Sequence, residues 1–296
     1  MKFSLVTIIL ILVLSIPTPA GTREKESAPV SQAHSATRPV YLVYGIAYQN
    51  VDFLMQSLQK VQQALLHDGV PSFITEKDAF ASIAENARMM KHEVLEYLAE
   101  HPNYTQIDII AHSKGGLEAR YMISRLDMAE YVASLTTLST PHRGTPVAEF
   151  ITEDAGEGGR IIATTVANAV GTLLGDSNPD SDRAFHQLTP GYIDNFNRKT
   201  PNHPSVYYLS FASQIGEEYP SLLYRTIGGA IHATAGPNDG FVPVESAKWG
   251  DFRGLVCTIY GHEGLSHSDI IGGNPLTYNV DFDFVRFFKD IVEIVQ

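Results

Sequence analysis

The hydrophobic and polar positions of this chain change period in a repeating way. Val40-Tyr41-Leu42-Val43 is a short β-branched run ending at Gly45, the pattern of a central strand that closes on a loop. From Val51 to His67 the apolar residues fall at 51, 54, 58, 61 and 65, which is helical spacing. Gly69-Val70-Pro71 breaks that run, and Ser72-Phe73-Ile74 predicts the next strand. A second amphipathic helix is predicted from Ser82 to Glu100, where Ser82 and Glu85 have the spacing of a capping box. His101-Pro102-Asn103 stops it. Further strands are predicted at Ile107–Ile110, Ser134–Leu138, Val206–Ser210 and Leu255–Tyr260, and a terminal helix from about Phe282 to Val295. Short strands alternating with helices of this length build a parallel sheet covered on both faces, an α/β architecture.

The stretch from about 147 to 188 interrupts the alternation. Gly156-Glu157-Gly158-Gly159 precedes apolar residues at Ile162, Val166, Val170 and Leu173, and Gly175-Asp176-Ser177-Asn178-Pro179 follows them. This predicts a helix with a flexible joint at each end. Its other face is Thr, Asn and Ala, without a charge between Ile161 and Leu174. So weakly polar a back suits a lid that slides over an apolar cleft or rests on a lipid interface; a core helix has the same pattern.

Composition changes the picture at the N-terminus. Lys2, the apolar run Leu5 to Ile16 and the small residues Thr18-Pro19-Ala20 read as a signal peptide over residues 1–20. The run is short for a membrane span. Residues 21–38, rich in Ser, Ala, Thr and charge, predict a disordered lead-in, and residues 39–296 a single domain. The expected location is secreted or periplasmic. Formal charge is −12 over the whole chain and about −13 without Lys2, a balance that argues against nucleic acid as a partner. The one cysteine, Cys257, lies in the apolar run Leu255 to Tyr260 and is expected to be a small buried core residue.

Candidate chemistry begins at Ala111-His112-Ser113-Lys114-Gly115-Gly116, between a predicted strand and a predicted helix. That context makes a nucleophile elbow, which projects a serine oxygen out of the sheet and turns the next N–H, that of Lys114, toward the same space. A serine needs an imidazole to take its proton and a carboxylate to hold the imidazole. Sheets with this elbow carry them in the chain order Ser, acid, His. Asp239, in the tight turn Pro237-Asn238-Asp239-Gly240, is the acid candidate; Asp251, Asp281 and Asp283 are weaker choices. His262 and His267 both lie in a loop after the acid, and spacing alone leaves them equal, although Asp269 favours His267. A second oxyanion donor is expected from Tyr44-Gly45-Ile46, where Gly45 lets the Ile46 N–H face the nucleophile.

Four blocks occur in the order found in bacterial secreted triacylglycerol lipases of the Pseudomonas and Burkholderia group. They are Val43-Tyr44-Gly45-Ile46, Ala111 to Gly116, Ser139-Thr140-Pro141-His142-Arg143-Gly144-Thr145, and Asn238-Asp239-Gly240-Phe241-Val242-Pro243. The chain resembles that group from about Pro39 onward. The resemblance implies an α/β-hydrolase fold, with a mostly parallel central sheet, helices on both faces and a helical lid insertion. It implies Ser113 as nucleophile, Asp239 as acid, His267 as base, and the N–H groups of Ile46 and Lys114 as the oxyanion hole. It also implies a structural calcium at Asp269, with Glu217 and Glu218 as candidates for a second ligand, no cofactor required for the chemistry, and dependence in some relatives on a dedicated folding helper. Tyr44 stands where the group usually has histidine and Ala111 where it has glycine, as in the small Bacillus lipases. The glutamine that the group carries after its calcium aspartate has no counterpart at Gly273, and the group's disulfide is missing.

These readings lead to an exported carboxylic ester hydrolase, a triacylglycerol lipase working on lipid or ester substrate at an interface. The alternatives are a short-chain esterase, and a non-catalytic lipid- or protein-binding member of the fold.

Overall fold

The computed structural model describes residues 37–46, 52–78, 81–152, 180–258, 264–273 and 282–296. Its strands are β1 (Val40–Val43), β2 (Ser72–Ile74), β3 (Ile107–His112), β4 (Val132–Leu138), β5 (Tyr207–Ala212) and β6 (Asp251–Leu255). Between them run α1 (Asp52–His67), α2 (Ile83–Glu100), α3 (Lys114–Arg125), α4 (Pro146–Thr152), α5 (Asp180–His186), α6 (Pro190–Lys199), α7 (Leu222–Ala235) and the short α8 (Val244–Ala247); α9 (Phe284–Val295) follows β6. The strands form one sheet in the order β2-β1-β3-β4-β5-β6, and every pairing is parallel.

Side-chain alternation along the central strands assigns the two faces. Tyr41 and Val43 of β1, with Ile107, Ile109 and Ala111 of β3, pack against Met90 and Val94 of α2 and Ala119 and Met122 of α3. Val40 and Leu42, with Ile110, pack on the other side against Leu58, Val61 and Leu65 of α1 and Phe288, Ile291 and Val292 of α9. Each large aliphatic or aromatic side chain so buried contributes about 1.5–3 kcal/mol. A one-residue slip in β1 would exchange the two sets. The capping box of α2 is present in full: the Ser82 hydroxyl accepts from the Glu85 N–H, and the Glu85 carboxylate accepts from the Ser82 N–H.

Two sequence expectations are corrected. The last strand is Asp251–Leu255 rather than Leu255–Tyr260. It is an edge strand whose residues alternate between exposed and half-buried, so it lacks the continuous apolar run of a central strand. Consequently Cys257 lies beyond the strand and is exposed rather than buried. Of the expected lid over 147–188, residues 153–179 lie outside the described residues, while α4 and α5 form its two described ends. The signal peptide and most of the lead-in also lie outside them. Helices α6 and α7 were not expected from the sequence.

Candidate active site

Ser113 follows the last residue of β3 and precedes the first of α3. Its φ is 55°, in the left-handed region that costs a non-glycine residue on the order of 1–3 kcal/mol. The surroundings impose that conformation. The Ser113 N–H donates to Leu138 O at 3.0 Å, and Ser113 O accepts from the Thr140 hydroxyl at 2.8 Å. Thr140 belongs to the Ser139 to Thr145 block, so that block buttresses the elbow from the end of β4. Close approach fixes two glycines. A Cβ on Gly115 would lie 2.5 Å from Tyr44 O, and one on Gly45 would lie 2.6 Å from Ser113 Cβ. Ala111 is fully buried in the core between β3 and the α2–α3 layer, where its single methyl fills space.

Asp239 and His267 meet Ser113 from two loops. His267 Nε2 lies 2.9 Å from Ser113 Oγ, and His267 Nδ1 lies 2.8 Å from Asp239 Oδ2. The other carboxylate oxygen, Oδ1, accepts from the N–H groups of Phe241 and Val242 at 3.0 and 2.7 Å. These bonds orient an acid that is 1% exposed. Asn238 shapes the turn: its side-chain amide donates to Gly228 O and Gly236 O, and its Oδ1 accepts from the Gly240 N–H. An ordered relay of carboxylate, imidazole and hydroxyl can remove the proton of a serine as it attacks an electrophilic carbonyl.

His262 falls outside the described residues, whereas His267 is the histidine that reaches Ser113. His112, expected at the flank, is buried and its Nε2 lies 2.8 Å from His267 O. Burial, reinforced by the adjacent His267, holds the His112 imidazole well below the usual histidine range. It is therefore neutral at pH 7, and a neutral ring donating from Nε2 carries no proton on Nδ1.

The segment Tyr44-Gly45-Ile46 leaves the end of β1 against this site. Tyr44 is fully buried and its hydroxyl donates to Lys77 O at 2.7 Å. Ile46 is partly buried against a cluster that includes Ile83, Leu117, Leu188 and Phe196. Lys114 opens α3, where the first backbone N–H groups of a helix lack an intrahelical acceptor and the helix dipole is positive. Gly45, one residue before Ile46, packs directly on Ser113, and Lys114 follows Ser113 in the chain.

Asp269 has protein partners. Its Oδ2 accepts from the Tyr219 hydroxyl at 2.5 Å and from the Ser266 N–H at 2.8 Å. Glu217 and Glu218 are exposed. Among the described residues no group of three or more His, Cys, Asp or Glu side chains could hold a metal ion, and Asp269 is held by protein donors. The sequence did not single out Tyr219, nor Lys77 and Glu118, which lie buried beside Lys114. The Lys114–Glu118 spacing on one helix was a readable signal; the distant Lys77 and Tyr219 gave none.

Residues 40–151 match the family described as "Putative serine esterase (DUF676)". The chain is 29% identical over 235 residues to triacylglycerol lipase 2 of Saccharomyces cerevisiae, an alignment covering 77% of this chain and 65% of that protein. It is 30% identical over 229 residues to a triacylglycerol lipase of Burkholderia plantarii, covering 71% and 62% of the two chains. A triacylglycerol lipase of Pseudarthrobacter phenanthrenivorans is 30% identical over 225 residues, covering 69% and 68%. The chain thus spans about two thirds of the length of these relatives, and slightly less for the first two. Among solved structures, the mature Bacillus licheniformis lipase BlEst2 superposes with a TM-score of 0.61 at 20% identity, over 90% of this chain and 96% of that one. The metagenomic carboxyl esterase MGS0156 does so with a TM-score of 0.65 at 17% identity, over 91% and 80%. The parallel sheet and these neighbours make the fold that of the α/β-hydrolases, and the relatives, drawn from a yeast and two bacteria, make the chain a member of the triacylglycerol lipase family.

Proposed function

We propose that this chain hydrolyses carboxylic esters of long acyl chains, as a triacylglycerol lipase, through an acyl-enzyme on Ser113. One observation carries the reading: the continuous relay from Asp239 through His267 to Ser113, with contacts of 2.8 and 2.9 Å. Family membership supports the ester class, and the relatives' names support the acylglycerol.

In the first half-reaction Ser113 Oγ attacks the ester carbonyl carbon while His267 Nε2 takes its proton. Asp239 stabilises the imidazolium that forms and keeps Nδ1 protonated. Negative charge gathers on the former carbonyl oxygen, and the N–H groups of Ile46 and Lys114 receive it. Collapse breaks the bond to the alcohol, which leaves with the proton from His267. In the second half water attacks the acyl carbon, His267 takes its proton, and the fatty acid departs with Ser113 Oγ reprotonated. Asp269 and Tyr219 order the loop that carries His267. Residues 1–20 have the composition of a signal peptide, which supports export.

The test is Ser113→Ala with emulsified triolein, tributyrin and p-nitrophenyl esters, alongside labelling of the wild type by an alkyl phosphonate. The expected result is loss of turnover with the circular dichroism spectrum retained, one phosphonate adduct at Ser113, and faster turnover of triolein above its solubility limit. Turnover surviving in the Ser113→Ala protein would refute the assignment. Preference for soluble short-chain esters would make the chain an esterase.

A further inference from the structure

We infer that Lys77, Glu118 and Lys114 form a buried clamp that fixes both walls of the oxyanion hole and holds two ammonium groups behind it. The inference rests on the hydrolase reading above and concerns how that site holds an oxyanion. All three side chains are fully buried. Glu118 of α3 stands between the two cations: its Oε2 lies 2.8 Å from Lys77 Nζ and its Oε1 2.6 Å from Lys114 Nζ. Asn86 of α2 donates to the same Oε1 at 2.8 Å and to Asp78 O at 2.7 Å. Lys114 Nζ also donates to Ala81 O at 2.6 Å. One carboxylate therefore joins α2, α3 and the segment after β2.

The cluster touches each wall of the hole. Lys114 supplies one proposed donor from its backbone and a cation from its side chain. On the other wall, Lys77 Nζ lies 3.5 Å from Gly45 O and 4.6 Å from the centre of the Tyr44 ring, while the Tyr44 hydroxyl donates to Lys77 O. Lys77 thus grips the Tyr44-Gly45 segment at two points. Gly45 in turn packs directly on Ser113, where an added Cβ would be 3.1 Å from Oγ. A shift of this segment would move the Ile46 N–H relative to the nucleophile.

The placement of two buried cations argues for a role beyond folding. Two ammonium groups contact the one Glu118 carboxylate directly, and a buried ion pair adds little net stability over an apolar replacement. Glu93, a further carboxylate on α2, accepts from the Tyr41 hydroxyl and the Glu76 N–H and also attracts the Lys77 charge. Burial pushes the Lys77 ammonium down from the usual lysine range, and the Glu118 carboxylate opposes that. The positive charge of Lys77 also disfavours protonation of His112, so its field reaches the residues around Ser113. A fixed cation behind two N–H donors stabilises negative charge that develops in the transition state more than a neutral ester.

The experiment compares the full wild-type chain with Lys77→Met, which removes one cation, keeps the length of the side chain and leaves Glu118 paired with Lys114. Kinetics on p-nitrophenyl butyrate are read together with inhibition by an alkyl trifluoromethyl ketone, which forms an oxyanion adduct on serine. In the variant kcat is expected to fall about tenfold or more, with KM within about twofold, and ketone affinity to fall by a similar factor. A folded Lys77→Met protein with wild-type kcat and ketone affinity overturns the inference. Should that variant fail to fold, nitrogen-15 NMR of the wild-type lysine side chains at pH 8 decides: two ammonium signals support the clamp, and a neutral amine at Lys77 overturns it. A wild type that turns over no ester and takes no phosphonate would overturn the hydrolase reading itself, and the clamp's catalytic part with it.

Discussion

The backbone N–H of His267 donates to the carbonyl oxygen of Asp239 at 2.9 Å, so acid and base are joined through main chain as well as through their side chains. The imidazole is therefore held at two points, and its ring is presented to Ser113 at an angle set by two loops that meet at the end of the sheet. Disturbing the chemistry of the carboxylate should accordingly leave the placement of the histidine intact.

Asp239→Asn tests that separation. The amide keeps an oxygen for the N–H groups of Phe241 and Val242, so the turn is expected to fold as before. Its NH2 would donate to His267 Nδ1, which forces the ring proton onto Nε2, facing Ser113. The wrong tautomer cannot accept the serine proton. The expected loss in kcat is on the order of 10³–10⁴, with an unchanged thermal midpoint. A loss below tenfold in steady-state ester hydrolysis would remove Asp239 from the relay.

The parts of this arrangement that sequence made legible are the local ones. The two faces of β1 and β3 followed from alternation because both faces are buried, and the elbow followed from a strand, a serine and small residues within six positions. The run after Leu255 has the more apolar composition, whereas Asp251, Arg253 and Gly254 suit the exposed edge on which β6 lies. The choice of His267 rested on Asp269, yet that aspartate bonds to Tyr219 and Ser266. Lys77 meets Glu118 only after β1 and β3 pair and α2 docks on α3. Such contacts carry no periodic signature, so folding has to be seen before they are.

Tyr219 gives the second prediction. Its fully buried hydroxyl donates to Asp269, two residues beyond His267, so Tyr219→Phe deletes a hydrogen bond to a buried carboxylate. The expected cost is about 1.5–3 kcal/mol of unfolding free energy, measured in urea, with a several-fold lower kcat as the His267 loop loosens. Because protein donors hold Asp269, a chelator of divalent cations is expected to leave the wild-type activity and thermal midpoint unchanged. Loss of activity on chelation, restored by calcium, would contradict this account of the loop.

The pH dependence of stability follows from two histidines kept neutral by the fold. Burial holds both His112 and His142 well below the usual histidine range, helped by His267 for the first and by the Arg120 and Arg143 cations for the second. In the unfolded chain both protonate near about pH 6.5. Below that pH the unfolded state binds protons that the folded state refuses, so stability falls as pH falls; above it the two states bind equally and this contribution is flat. Each histidine should contribute a slope approaching about 1.4 kcal/mol per pH unit once the pH is below 6.5 and still above its folded pKa. Urea unfolding between pH 8 and pH 5.5 is expected to show a plateau and then a decline approaching two protons. In His142→Asn the slope should drop by about one proton, even though the variant is less stable overall, because its ring nitrogens lie near Thr137 Oγ1 and Arg120. An unchanged slope in that variant would mean that His142 takes up its proton while folded, and that its buried neighbours tolerate the charge.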